Sequence, residues 1–286
     1  DIFDHILSSR LIMEETKRKG ARSTNDISSE ILEKLNHGEI ETANIVEWFA
    51  IDRRLLLTYI LLQNGREAYL NPILEHINRL EKQTSNTISE AIGAELLKQA
   101  SNYNDKECLQ IISHHESDLV RSWGTFMIGK NTNLSLSQMF QEIRIFATDK
   151  HFNVREEAWV AIRPAVIQNL EESILILSEW VLNENEYIRR FACEVTRPRG
   201  VWCKHIEELK ENPKLALSIL EPLKSDSSKY VQNSVGNWLN DASKTQPTFV
   251  ENLCRRWEKE SNTKETKYII KKALRTINKS RQTAKK

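Results

Sequence analysis

Long apolar runs are absent from this chain. No stretch of about 18 consecutive apolar residues occurs, which excludes a bilayer-spanning helix. Glycine and proline are scarce, 8 and 6 in 286 residues, too few for the many turns of an all-β fold. The four cysteines, Cys108, Cys193, Cys203 and Cys254, show no CxxC spacing. That excludes a zinc knuckle, and their wide separation points to reduced thiols in the cytosol. His76, His114 and His115 have no metal-ligand spacing with carboxylates, so surface or structural roles are expected for them. No signal-peptide pattern occurs. A cytoplasmic globular protein fits the 28% charged and 40% hydrophobic content.

Net charge is also nearly absent, with 41 Lys and Arg against 40 Asp and Glu. The balance hides an asymmetry. Residues 187–286 hold 22 basic against 11 acidic side chains, and residues 1–186 hold 19 against 29. A basic half suggests a polyanionic partner. A bipolar surface with no partner is the alternative reading.

What is present is helical periodicity. Residues 1–20 read as a short helix with a basic end. Ser28 precedes an apolar-periodic run as a helix cap would. Residues 43–62 read as two packed helices with Trp48 in the core. Residues 71–80 and 87–99 continue the pattern, and Pro72 fits a first helical turn. From about residue 104 the helices come in pairs. Four second helices align on Val154, Ile188, Val231 and Ile269, at spacings of 34, 43 and 38 residues. Such periods belong to helical-hairpin solenoids of the HEAT kind. The expectation is an all-α superhelix forming one domain over residues 1–286. Its clearest repeats span 104–280, and a short basic tail follows at 279–286.

Counting from the aligned residue as zero, positions zero, plus four and plus seven are apolar or small. They read Val154, Ala158, Ala161; Ile188, Ala192, Val195; Val231, Val235, Trp238; Ile269, Ala273, Thr276. This is the predicted buried stripe. Positions plus two, plus six and plus ten form a second stripe. It reads Glu156, Val160, Pro164; Arg190, Glu194, Pro198; Asn233, Asn237, Asp241; Lys271, Arg275, Lys279. Equivalent helices lie side by side in a solenoid, so the second stripe is expected to make one polar surface, the concave one. Its basic C-terminal end suits a phosphate backbone. The second helix of 187–199 should end near Arg197, because the residue before Pro198 is pushed out of the helical region. A short basic connector with Arg199, Gly200 and Trp202 follows.

The run of Arg189, Arg190, Glu194, Thr196 to Arg199 and Trp202 carries a resemblance. So does the run from Tyr230 to Asp241 with Ser243, Lys244 and Pro247. Together they resemble the DNA alkylation-repair glycosylases of the AlkC/AlkD superfamily, closer to the AlkC branch, over roughly residues 150–260. The resemblance implies a HEAT-like fold that wraps duplex DNA in its concave cleft. It implies excision of cationic N-alkylpurines such as 3-methyladenine, without metal or cofactor. A monomer in the bacterial cytoplasm, associated with the nucleoid, would suit that work.

The chemistry can be stated independently. Alkylation at N3 or N7 puts positive charge on a purine and weakens its glycosidic bond. Cleavage leaves an oxocarbenium-like sugar, which a nearby carboxylate stabilises. An aromatic face holds a cationic nucleotide, and arginines hold phosphates. Carried over by motif, Glu194 and Asp241 are the carboxylates, Arg190 their positioner and Trp202 the nucleotide-facing aromatic. Arg163, Arg189, Arg197, Arg199, Lys204, Asn233, Asn237, Lys244, Lys271 and Arg275 are the candidate DNA contacts. Each has a plainer reading. Glu194 with Arg190 can be an ordinary helix ion pair, Asp241 a polar helix end, and Trp202 core. Trp123, Trp159 and Trp180 read as core.

One departure bears on activity. The run 158–166 resembles a family segment that places a carboxylate where this chain has Trp159. Glu156 and Glu157 lie nearby but out of register. Two functions therefore stand, an alkylpurine glycosylase and a catalytically silent DNA-binding solenoid for distorted or branched DNA. A protein scaffold is a third, against which the basic stripe weighs.

Overall fold

The computed structural model describes residues 18–200 and 203–283. Among the described residues no strand occurs, and the architecture is all-α and HEAT-like. Two compact units are built from it. One runs to Thr132 and adds Asp149–Ala161; the other combines Asn133–Thr148 with the chain from Ile162 onward.

The first unit contains α1 (Ser29–His37), α2 (Ile45–Ala50), α3 (Arg53–Gln63), α4 (Leu70–Asn78), α5 (Ser85–Asn102), α6 (Cys108–Ser113) and α7 (Asp118–Gly129). Their starts are written in the sequence. Ser28, Asn44, Asp52, Thr84 and Ser117 each accept a hydrogen bond from a first-turn backbone N–H, satisfying donors that the helix itself leaves open. α1 stops at Gly38, which adopts a left-handed φ of 74°, a conformation glycine takes without steric cost. The two helices expected within 43–62 are α2 and α3. The helix expected over 1–20 falls largely outside the described residues, and Arg18 to Gly20 are not helical. Leu35, Trp48, Leu57, Ile73, Leu96 and Trp123 lie in one core.

The second unit contains α8 (Leu136–Ala147), α10 (Leu170–Trp180), α11 (Glu186–Val195), α12 (Glu207–Glu211), α13 (Leu217–Leu220), α14 (Lys229–Ser243), α15 (Pro247–Glu260), α16 (Lys264–Ala273) and α17 (Arg275–Thr283). The intervening α9 (Phe152–Gln168) contributes residues to each unit. α11 packs on α14, and α14 on α16. The predicted stripe is buried in these three helices from Ile188 through Ala273, and only Thr276, beyond the end of α16, is half-buried. A Cβ on Gly236 would stand 2.6 Å from Lys272 Cβ, so glycine permits the close approach of α14 and α16. Trp180 lies in the core against Phe140 and Phe191, at ring separations of 5.5 and 5.2 Å.

An arginine at position plus one fixes the turn before two of the aligned second helices. Arg155 donates to the carbonyls of Asp149 and Lys150, and Arg189 to those of Asn183 and Glu184. Arg121 does the same with His115 and Glu116, which adds an earlier repeat aligned on Val120. Two of these arginines also reach the next turn. Arg121 makes a forked pair with Asp149, and Arg189 with Asp226. A forked guanidinium–carboxylate pair fixes geometry as well as charge.

Candidate functional site

The site grows from the C-terminal end of α11. The helix ends at Val195, two residues before the expected Arg197, and Thr196 turns its hydroxyl back onto the carbonyls of Ala192 and Cys193. Trp238 Nε1 donates to that hydroxyl at 3.2 Å. Arg197 is thereby turned toward α14. Its Nη1 donates to Glu194 Oε1 at 2.8 Å, and its Nε to Asp241 Oδ2 at 2.8 Å. Ser234 Oγ donates to the other Glu194 oxygen at 2.5 Å. Arg190 Nη2 stands 3.8 Å from Glu194, and Lys244 Nζ 3.7 Å from Asp241. Two buried carboxylates thus flank one buried arginine.

The two carboxyls are driven apart electrostatically. Burial works to raise Glu194, but Arg190, Arg197 and the Ser234 hydroxyl together outweigh it and hold the group below its ordinary range. Burial raises Asp241 by more than Arg197 and Lys244 take back. Opposed shifts in neighbouring carboxyls are the pattern of an acid–base pair. They are also produced by structural ion networks.

The expected carboxylates are therefore together, but several expected DNA contacts are not surface groups. Arg163 is buried, and its three nitrogens donate to the carbonyls of Lys204, Val195 and Arg197 at 2.9, 2.7 and 2.7 Å. It ties the two ends of the connector rather than a phosphate. Arg189 is the turn clamp paired with Asp226. Arg197 is committed to Glu194 and Asp241 and bridges them directly, whereas Arg190 approaches Glu194 only to 3.8 Å. Asn233 accepts from Tyr268 Oη at 2.7 Å and Asn237 from Arg275 Nη1 at 3.0 Å, so both serve helix–helix contacts. The second stripe is correspondingly not a wholly exposed face: side-by-side packing buries Glu194 and Asp241. Lys204, Lys244, Lys271 and Arg275 are exposed, and Arg199 is half-buried. Arg199 Nε is buried without a hydrogen-bond partner among the described residues. Trp202 lies outside them.

Trp159 is buried and its indole N–H donates to Glu156 at 3.1 Å. The neighbouring Glu157 is buried too, and burial pushes its carboxyl up to about 7. Among the described residues no group of three or more His, Cys, Asp or Glu side chains is placed to hold a metal ion. No helix there is long and apolar enough to cross a membrane.

Residues 156–277 match the family model described as DNA alkylation repair enzyme. Over this segment the chain is similar to the DNA alkylation-repair family. An uncharacterized protein of Bacillus subtilis, YhaZ, is 42% identical over 117 residues, which are 41% of this chain and 32% of YhaZ. The chain thus matches about a third of that relative's length. Two solved structures share the fold. The alkylpurine DNA glycosylase AlkC of Pseudomonas fluorescens, bound to DNA containing an abasic site analog, superposes with a TM-score of 0.61 at 21% identity. That match covers 90% of this chain and 65% of AlkC. AlkD2 of Streptococcus mutans gives 0.53 at 23% identity, over 73% of this chain and 97% of AlkD2.

Proposed function

We propose that this protein is a member of the DNA alkylation-repair superfamily that binds duplex DNA along the faces of α11, α14 and α16 and excises cationic N-alkylpurines. The observation that carries the reading is the Glu194–Arg197–Asp241 cluster on the stripe whose C-terminal end is cationic. In this reading the bond from N9 of the alkylated purine to sugar C1′ breaks with its electron pair going to the base. The base leaves neutral, and the sugar becomes cationic. Glu194, held ionised, stabilises that charge. Water adds to C1′ and gives its proton to Asp241. Arg199, Lys204, Lys244, Lys271 and Arg275 face the phosphates.

A specific observation favours a second reading, that of a DNA-binding protein without turnover. Both carboxylates are already engaged by Arg197, and Trp159 stands where the family resemblance expects a further carboxylate. Base release from DNA carrying 3-methyladenine or 7-methylguanine separates the two. Under single-turnover conditions the wild type is expected to release base above background. Asp241→Asn and Glu194→Gln should each lower the rate about 10²–10³-fold while leaving DNA affinity within a few-fold. Equal background release from all three proteins would reject excision and leave the binding reading.

A further inference from the structure

The two oxygens of Asp241 are held differently. Oδ2 takes both Nε and Nη2 of Arg197 at 2.8 Å. No hydrogen bond reaches Oδ1 among the described residues, and that oxygen is not sealed from solvent. Facing it at 3.7 Å is Lys244 Nζ. The two partners differ in freedom. The Lys244 side chain is 44% exposed, that of Asp241 only 4%. Residue 244 stands three positions beyond Asp241, where α14 ends. Its flexible four-carbon stem can therefore turn from the carboxylate to an anion outside.

The charge balance also sets Lys244 apart. Arg190 and Arg197 are buried and stand against the buried Glu194 and Asp241. Glu194 opposes the ionisation of Asp241, and the buried Arg163 and half-buried Cys203 lie within its electrostatic range. Lys244 is the exposed member of this group, and among the described residues its ion pair is with Asp241 alone. A pair with one partner in solvent is weakly held. A DNA phosphate offers the ammonium a charged partner of its own, and counterion release favours the exchange.

We propose that Lys244 is a positioning residue shared between Asp241 and a phosphate of bound DNA. The phosphate draws the ammonium off and leaves Asp241 Oδ1 open to the water that adds to C1′. Arg197 keeps the carboxylate in place through Oδ2. With the neighbouring cation gone, Asp241 is a stronger base and takes the proton of that water. The carboxylate is thus readied only where DNA is seated. This rests on the DNA-binding reading above and adds a coupling between binding and chemistry within it.

The test uses the full chain, an undamaged duplex and the carboxyl-carbon NMR titration of Asp241, assigned by its loss in Asp241→Asn. An undamaged duplex carries the same phosphates and no labile base, so the readout does not depend on turnover. In wild type the Asp241 midpoint is expected to move up when the duplex binds. In Lys244→Gln it should already stand higher in the free protein, and the duplex should raise it less. The same substitution should lower the salt slope of duplex affinity by about one. Circular dichroism melts confirm that the variant is folded. An Asp241 midpoint unchanged in free Lys244→Gln, a duplex-linked rise equal in the two proteins, or an unchanged salt slope would overturn the sharing of Lys244 and leave the DNA-binding reading intact. A wild type that does not bind the duplex at low salt would overturn both.

Discussion

Glu157 is a buried carboxyl whose Oε2 finds no hydrogen-bond donor among the described residues. Burial raises it to about 7 against the pull of Arg53, and Glu156 and Glu90 add to the rise. The folded state therefore binds a proton more tightly than the unfolded chain. Its contribution to stability is fully present below the ordinary glutamate range and is lost as pH rises through about 7. Glu157→Gln removes that loss. Between pH 5 and pH 8 the variant should gain on wild type by up to about 3 kcal/mol in urea unfolding, and a difference independent of pH would contradict the assignment. The sequence could not reveal this residue. Adjacent Glu156 and Glu157 look alike, and only the packed structure tells a buried carboxyl from its half-buried neighbour.

At the scale of elements, the buried stripe was legible because it depends on helical period alone. Residues such as Val154, Ala192, Val235 and Ile269 needed no tertiary knowledge to place. The second stripe was legible as a line of residues but not as a surface. Whether Glu194 and Asp241 meet solvent depends on how closely α11 and α14 approach. Arg163 was misread for a different reason. Its partners are backbone carbonyls, which leave no mark in residue type, so the arginine was read as a DNA contact. Its structural role is testable. Arg163→Ala strands the carbonyls of Val195, Arg197 and Lys204 and should cost about 3 kcal/mol or more in unfolding free energy. Arg163→Lys should recover little, because one ammonium cannot reproduce the planar fork that meets three acceptors. Full rescue by lysine, or an alanine variant as stable as wild type, would show that the connector is held by other contacts.

Across the whole molecule the charge asymmetry has a concrete location. The excess of basic residues after 187 includes Lys271 in α16 and Arg275 at the start of α17, both exposed. Their exposure makes this the face on which the proposed duplex would release counterions. The measurement that tests the account most directly is therefore the salt dependence of duplex DNA binding by the full chain. Log affinity should fall steeply and linearly with log salt for wild type. Lys271→Glu with Arg275→Glu should lower the magnitude of that slope by about two, since each lost phosphate contact removes about 0.9. An unchanged slope in the double variant, or no wild-type binding at about 50 mM salt, would contradict the assignment of this face to DNA.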